Sequence, residues 1–164
     1  LTAEIADGWL PLFFAPKDNQ FYLDALNEGF ARPGARQTLA SFDVAAVVPV
    51  VINDDVEAAA DAIRPMLALY AGGMGAREAN FHLNVFARMG YEAECARIQD
   101  LYLAGDKRAA IAAVPTAMVE DVALVGPPAK IRSDLDAWRE SVVNTLVVSG
   151  PPPLLEAIAE IVAP

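Results

Sequence analysis

The sequence predicts an α/β fold in which parallel strands alternate with helices, and three observations predict it. Residues 42–52 are nearly all Val and Ala, apolar at odd and even positions alike, as expected of a parallel strand covered on both faces. Shorter apolar runs stand near Trp9 and at residues 144–149, separated from it by segments of helical period. The order is helix end, strand, helix, strand, helices, strand, helix, which implies a parallel sheet with helical crossovers.

The first residues, 1–7, read as the last turns of a helix, with Gly8 as its left-handed stop. The chain opens on Leu1 in mid-helix pattern, which reads as the later part of a longer polypeptide. The apolar run from Trp9 to Phe14 contains Pro11, so the strand is confined to residues 8–10 or is irregular. Between Pro16 and Arg32 the spacing is helical: Phe21, Ala25 and Gly29 lie beside Tyr22, Leu26 and Phe30. Pro33-Gly34 ends it. After the Val-rich strand, Asn53-Asp54-Asp55 is an N-cap cluster at the positive end of the next helix dipole. Val56, Ala60, Ile63, Leu67 and Tyr70 keep the helical period, with a kink expected at Pro65. Gly72-Gly73-Met74-Gly75 stops that helix.

Residues 76–113 read as two or three helices with no strand between them, broken near Gly90 and Gly105. A short helix follows at 115–122, so 72–122 has the size of a helical insertion. Val125-Gly126-Pro127-Pro128 starts the next helix, with proline tolerated in its first turn. Ile131, Leu135 and Trp138 make one apolar stripe on it. A strand at 144–149 and a closing helix with Leu154, Leu155, Ile158 and Ile161 complete the chain. Three such strands do not close a barrel and leave unpaired edges.

The chain has 164 residues, 55% hydrophobic and 21% charged, enough for one ordinary domain with a sizeable core. No apolar run approaches the roughly 18 residues that span a bilayer, and no secretory leader pattern is present. A single cysteine, Cys95, rules out an intrachain disulfide and a thiol metal cluster, and fits the reducing cytoplasm. The net charge of −10 argues against nucleic acid, because phosphate binding needs clustered Lys and Arg. Lys130, Arg132 and Arg139 alternate with Asp134, Asp136 and Glu140, a solvated helix face.

Four stretches together resemble the luciferase-like monooxygenase superfamily, and within it the coenzyme F-420-dependent group. They are Ala6-Asp7-Gly8-Trp9-Leu10-Pro11; Val48-Pro49-Val50-Val51-Ile52 running into Asp54-Asp55-Val56-Glu57; Tyr70-Ala71-Gly72-Gly73-Met74-Gly75-Ala76-Arg77-Glu78-Ala79-Asn80-Phe81; and Leu124-Val125-Gly126-Pro127-Pro128 with Trp138-Arg139 and the strand after Thr145. The resemblance implies a (β/α)8 TIM barrel, of which residues 1–164 form the C-terminal part, with strands six to eight and a helical insertion at about 72–122. It also implies hydride transfer to or from a deazaflavin, coenzyme F-420, with FMN as the alternative. The family's ring-binding and catalytic residues are expected upstream of Leu1. At Ser141-Val142-Val143 relatives carry a glycine, and a left-handed turn is disfavoured for valine.

Barrel enzymes place their chemistry at the C-terminal ends of strands, which here are residues 12–15, 52–54 and 149–150. Leu12, Phe13 and Phe14 are candidates for an apolar substrate pocket, together with Met74; the ordinary reading of the two phenylalanines is core. The Gly72-Gly73-Met74-Gly75 loop with Arg77 is the candidate cofactor contact. Glycines let backbone approach a ligand, and Arg77 offers a charge-assisted partner to an anion. The ordinary reading is a hinge with Arg77 solvated. His82, the one histidine, follows Glu78 by one helical turn, and its surroundings favour a structural role. Asp7 is expected to act as a cap and Cys95 to be buried and inert. No metal-ligand set is present in the sequence.

The leading functional reading is an oxidoreductase acting on a small apolar substrate, with this chain supplying pocket wall and a mobile loop, and with a homo-oligomer expected. A non-catalytic half-barrel serving in assembly is the alternative. A sugar- or phosphate-binding barrel with Ser149-Gly150 as anion site is weakened by the three prolines that follow, which lack N–H donors.

Overall fold

A computed structural model describes residues 1–76 and 79–163. The chain divides into two compact units: Leu1–Val50 with Ala129–Pro164, and Val51–Pro128.

The first unit begins with a one-turn helix α1 (Thr2–Ile5) and the short strand β1 (Gly8–Trp9). Gly8 is not a left-handed cap. The helix ends at Ala6, and Gly8 lies in the strand, where a Cβ would stand 2.6 Å from the carbonyl oxygen of Asp43. Strand proximity, not turn geometry, requires glycine there. A 3-10 turn at Pro16–Asp18 leads into α2 (Asn19–Phe30). Leu26 and Gly29 form its buried face, with Gly29 admitting Ala3 of α1 at close range, whereas Phe21 is exposed.

Strand β2 (Asp43–Val47) sits between β1 and β5 (Thr145–Val147), and both pairings are parallel. The expected single strand over 42–52 is two strands, β2 and β3 (Val50–Ile52), separated at Val48-Pro49. Proline lacks the N–H a continuous ladder needs, so the run breaks there. Val44, Ala46 and Val48 are buried while Asp43 and Val47 are exposed, so within this chain one face of β2 is covered and the other is open.

The same unit holds an aromatic cluster. Phe14 stacks on Tyr22 at 5.2 Å and reaches Trp138 of helix α9 (Pro128–Arg139) at 5.8 Å, and Trp9 meets Tyr22 at 5.1 Å. Ile131, Leu135 and Trp138 are the buried stripe of that helix, at the spacing expected. The last helix, α10 (Pro152–Val162), has its final carbonyls capped by Arg132, which donates to Glu160 O and Ala163 O.

Asn144 fixes the register of β5. Its backbone N–H donates to Val44 O, its Oδ1 accepts from Val44 N and its Nδ2 donates to Phe42 O, so the side chain imitates a strand peptide. The preceding loop needs no glycine. Ser141 Oγ donates to Trp138 O and accepts from Val143 N, Asn19 Oδ1 accepts from Val142 N, and Val142 has no left-handed backbone. Side-chain bonds do the work a left-handed glycine does elsewhere.

In the second unit, β3 pairs with β4 (Leu124–Gly126), a strand the sequence pattern does not reveal because it is three residues long and runs into two prolines. The described residues thus hold five strands rather than three. The helices are α3 (Val56–Asp61), α4 (Arg64–Gly72), α5 (Phe81–Phe86), α6 (Glu92–Leu103), α7 (Lys107–Ala112) and α8 (Thr116–Glu120). Asp55 caps α3 by accepting from the N–H groups of Glu57 and Ala58, as its sequence position predicts. Pro65 lies in the first turn of a new helix rather than at a kink. Gly90 and Gly105 take left-handed conformations at the expected breaks, and a π-helical turn at Ala87–Tyr91 joins α5 to α6.

Phe13 is the one non-glycine residue with positive φ among those described, at 59°. A left-handed backbone costs roughly 1–2 kcal/mol for a residue with a Cβ. The turn lets Phe13, Phe14 and Ala15 all go under while Leu12 stays outside. Phe13→Gly and Phe13→Ala both lose the buried ring, and at an ordinary site alanine is the more stable by about 0.5–1 kcal/mol. Here the order is expected to invert, with the glycine variant the more stable by about 1 kcal/mol in urea unfolding. Equal stabilities, or alanine ahead, contradict the left-handed turn.

Candidate functional site

In the three-stranded sheet the strands point the same way, so their C-terminal ends form one rim: residues 10–15 after β1, 47–50 after β2 and 147–153 after β5. This rim carries no ionisable side chain. Leu10, Leu12, Val47 and Val147 are exposed there, Leu10 at 64%. Val47 and Val147 are register partners on the open face. At the opposite ends of the strands the chemistry reverses. Thr145 Oγ1 donates to Asp43 Oδ1 at 3.2 Å, and Asp7 accepts from Gln37 Nε2 and lies 3.6 Å from Arg36. Asp7 thus ties a loop to the start of β1. A groove of about 660 Å3 also lies at the starting ends, lined by Asn19, Leu39, Arg139, Ser141 and Asn144 among others. Asn19 Oδ1, Ser141 Oγ and the Asn144 amide make the loop and register bonds described above.

The pocket candidates fall into two classes. Leu12 is exposed on the rim. Phe13 and Phe14 are buried, 4% and 2% exposed, with Phe14 inside the aromatic cluster. Residues 52–54 belong to the other unit, since β2 ends before Pro49. There Asn53 Oδ1 accepts from Asp55 N and Asn53 N–H donates to Gly126 O.

The glycine loop is built from its flanks inward. Gly72 ends α4 and Gly73 caps it. Cβ atoms on these two would lie 2.6 and 2.4 Å from atoms of Tyr102, so close packing of α4 on α6 requires both glycines. Met74 is 41% exposed and Gly75 has φ +112°. Asn80 closes the loop. It is 3% exposed; its Nδ2 donates to Tyr70 O and Ala71 O at 2.9 Å, and its Oδ1 accepts from Leu83 N at 3.0 Å. One amide satisfies the last carbonyls of α4 and the first N–H of α5, a role sequence reasoning missed. Arg77 and Glu78 lie outside the described residues. His82 packs edge-on against Tyr70 with ring centroids 4.8 Å apart.

A second polar cluster was also missed. Arg64 is 6% exposed and donates to Val114 O through Nε, to Asp61, to Glu57 and to Thr116 Oγ1, while Thr116 Oγ1 donates to Glu57. Glu57, Asp61 and Arg64 stand at i, i+4 and i+7, a signal the sequence offered. The cluster ties α3, α4 and α8 together. Thr116 and Arg64 hold the Glu57 carboxyl below its ordinary range. Tyr91 donates to Asp121 at 2.6 Å, and burial and that carboxylate raise its hydroxyl well above the usual range. Cys95 is fully buried, and burial pushes its thiol up to about 12, so it is no thiolate nucleophile at neutral pH. Among the described residues no group of acidic, His and Cys side chains forms a metal site, and no helix is long and apolar enough to cross a membrane.

The family model of luciferase-like monooxygenases matches residues 1–145. A Mycobacterium tuberculosis (strain ATCC 25618 / H37Rv) protein, named as a candidate coenzyme F-420-dependent oxidoreductase, is 44% identical over 149 residues, covering 91% of this chain and 43% of that protein. The solved coenzyme F-420-dependent tetrahydromethanopterin reductase from Methanopyrus kandleri superposes with a TM-score of 0.71 at 27% identity, over 98% of this chain and 44% of that one. The chain therefore spans less than half the length of the relatives it matches.

Because the folded pKa of Glu57 is depressed, its contribution to stability is present above the unfolded carboxylate value of about 4.3 and is lost as pH falls through the folded value. Glu57→Gln is expected to melt lower than wild type at pH 7 and to show a smaller loss of melting temperature between about pH 5 and pH 3. Parallel pH profiles for the two proteins would show that the Arg64–Glu57–Thr116 contact does not couple to folding.

Proposed function

The chain belongs to the luciferase-like monooxygenase family, and on that footing we propose that it forms the C-terminal part, strands six to eight with a helical insertion at about 72–122, of a (β/α)8 oxidoreductase. The reaction is hydride transfer between coenzyme F-420 and a small apolar substrate in the cytoplasm. FMN is the alternative coenzyme, and a structural half-barrel the alternative role. The observation that carries the reading is the uncharged rim at the C-terminal ends of three parallel strands, where barrel enzymes bind their substrates. The names borne by the two relatives favour coenzyme F-420 over FMN.

When bound, coenzyme F-420 supplies a ring carbon that accepts or donates the hydride, and its tail is anionic. In the first unit the rim offers apolar surface to substrate, through Leu12 with Phe13 and Phe14. In the second unit Gly72, Gly73 and Arg77 are the proposed coenzyme contacts. The tight fit of Gly72 and Gly73 on Tyr102 holds the loop's origin in place, and the Asn80 amide holds its return.

The test is titration of the full-length protein with coenzyme F-420 and with FMN, followed by absorption. Saturable binding of coenzyme F-420 is expected; binding of neither sinks the enzymatic reading, and FMN alone reassigns the coenzyme. Arg77→Ala is expected to weaken coenzyme F-420 binding about 10- to 150-fold, the loss of one charge-assisted hydrogen bond, with melting nearly unchanged. Wild-type affinity in that variant makes Arg77 a surface charge. Residues 1–164 alone are expected to be inactive with either coenzyme and to associate, because Ala45, Val47 and Val147 occupy an open sheet face between unpaired edges. Turnover by that polypeptide, or a clean monomer of 17.4 kDa in light scattering, contradicts this.

A further inference from the structure

The last carbonyls of α4 are satisfied from the far side of the glycine loop. Tyr70 O and Ala71 O come immediately before Gly72, and both accept from Asn80 Nδ2 at 2.9 Å. The carbonyl before them, Leu69 O, accepts from Gly73 N–H at 2.7 Å. Asn80 is also the N-cap of α5, with Oδ1 accepting from Leu83 N at 3.0 Å. Gly75 lies against the same residue: a Cβ on it would stand 3.5 Å from Asn80 Cα and 3.2 Å from Ala79 O. Asn80 is 3% exposed, while Met74, Gly75, Ala76 and Ala79 are exposed. A surface loop with close ends is thus tied at a buried neck. The donors and the acceptor of the neck amide are engaged with backbone.

We propose that Asn80 is a positioning residue for coenzyme binding, which touches no ligand itself and acts through the backbone of Gly72 and Gly73. This rests on the reading of that segment as a coenzyme contact. The physical need is entropic. Glycine takes positive and negative φ alike, and three of the four residues 72–75 are glycine, so the stretch is costly to order. A ligand that needs it in one place loses affinity in proportion to the time it spends elsewhere. The end of a helix carries orphan carbonyls, and here one buried side chain satisfies two of them. Tyr102 restrains the same two glycines by packing, since Cβ atoms on them would stand 2.6 and 2.4 Å from its atoms. Packing limits how far Gly72 and Gly73 can move toward α6, and the Asn80 amide sets where the chain leaves α4.

The test separates position from stability. Asn80→Ser keeps a good N-cap for α5 and loses both bonds to α4; Asn80→Asp keeps the acceptor and sets a second oxygen against the two carbonyls. In the full-length protein, below the melting temperature of each variant, coenzyme F-420 is titrated and followed by absorption. Affinity is expected to fall about 5- to 30-fold in Asn80→Ser and at least as far in Asn80→Asp. Ser141→Ala is the control. It removes side-chain bonds to Trp138 O and Val143 N in the other unit, and is expected to melt lower while binding the coenzyme as wild type does. Amide exchange adds a readout without turnover. In Asn80→Ser the Gly73 N–H is expected to exchange faster, the Leu83 N–H to stay slow under its new cap, and saturating coenzyme to slow Gly73 again. Wild-type affinity in both Asn80 variants, or an equal loss in Ser141→Ala, overturns the proposal. Failure of the wild-type protein to bind coenzyme F-420 overturns the reading on which the proposal rests, and the proposal with it.

Discussion

Strand β2 is hydrogen-bonded along both edges, by β1 through Gly8 and Trp9 and by β5 through the register Ala45–Thr145 to Val47–Val147, and its unit is arranged around that pairing. A parallel strand needs crossovers that put helices on a face of the sheet, and Val44, Ala46 and Val48 are the side chains buried on that face. The aromatic cluster of Trp9, Phe14, Tyr22 and Trp138 gathers the first strand and the helices α2 and α9 into one core. Burying such rings is worth roughly 1.5–3 kcal/mol each. The register is held locally: Asn144 occupies two backbone positions of β2, so a slip of one residue loses three hydrogen bonds together with the inward set of side chains.

The same pairing sorts the chemistry of the two ends. Polar loops, with Asp7, Gln37, Asp43 and Asn144 bonded to one another or to backbone, collect where the strands start. Apolar, uncharged segments collect where they finish. In a chain of net charge −10 with 21% charged residues, the rim composed of these three separate segments is uncharged. The strained turn at Phe13 belongs to the same rim, and strain of this kind concentrates at functional sites.

Much of this was legible in the sequence because it depends on local rules. The Asp55 cap, the stripe of Ile131, Leu135 and Trp138, the left-handed glycines at 90 and 105 and the burial of Cys95 each follow from spacing or residue type. What stayed hidden depends on partners distant in the chain. Gly8 looks like a helix stop until Asp43 is set against it, and the close approach of Tyr102 to Gly72 and Gly73 leaves no sign in the sequence. Asn80 has no sequence signature because its partners are backbone carbonyls. Pro49 was the readable sign that the Val-rich run is two strands, and Glu57, Asp61 and Arg64 the readable sign of the buried arginine. Phe13 carries no local signal for its positive φ. The rim residues were identifiable from strand ends, but which of Leu12, Phe13 and Phe14 faces outward was not.

Amide hydrogen exchange on the full-length protein, with and without saturating coenzyme F-420, tests most directly whether ligands bind at the finishing ends of β1, β2 and β5. Slowed exchange at Leu12, Phe13, Val147 and Val148, with no change at residues 38–43 and 139–144, is the result predicted. Protection confined to the starting ends, around the groove of Asn19, Arg139 and Asn144, would contradict it.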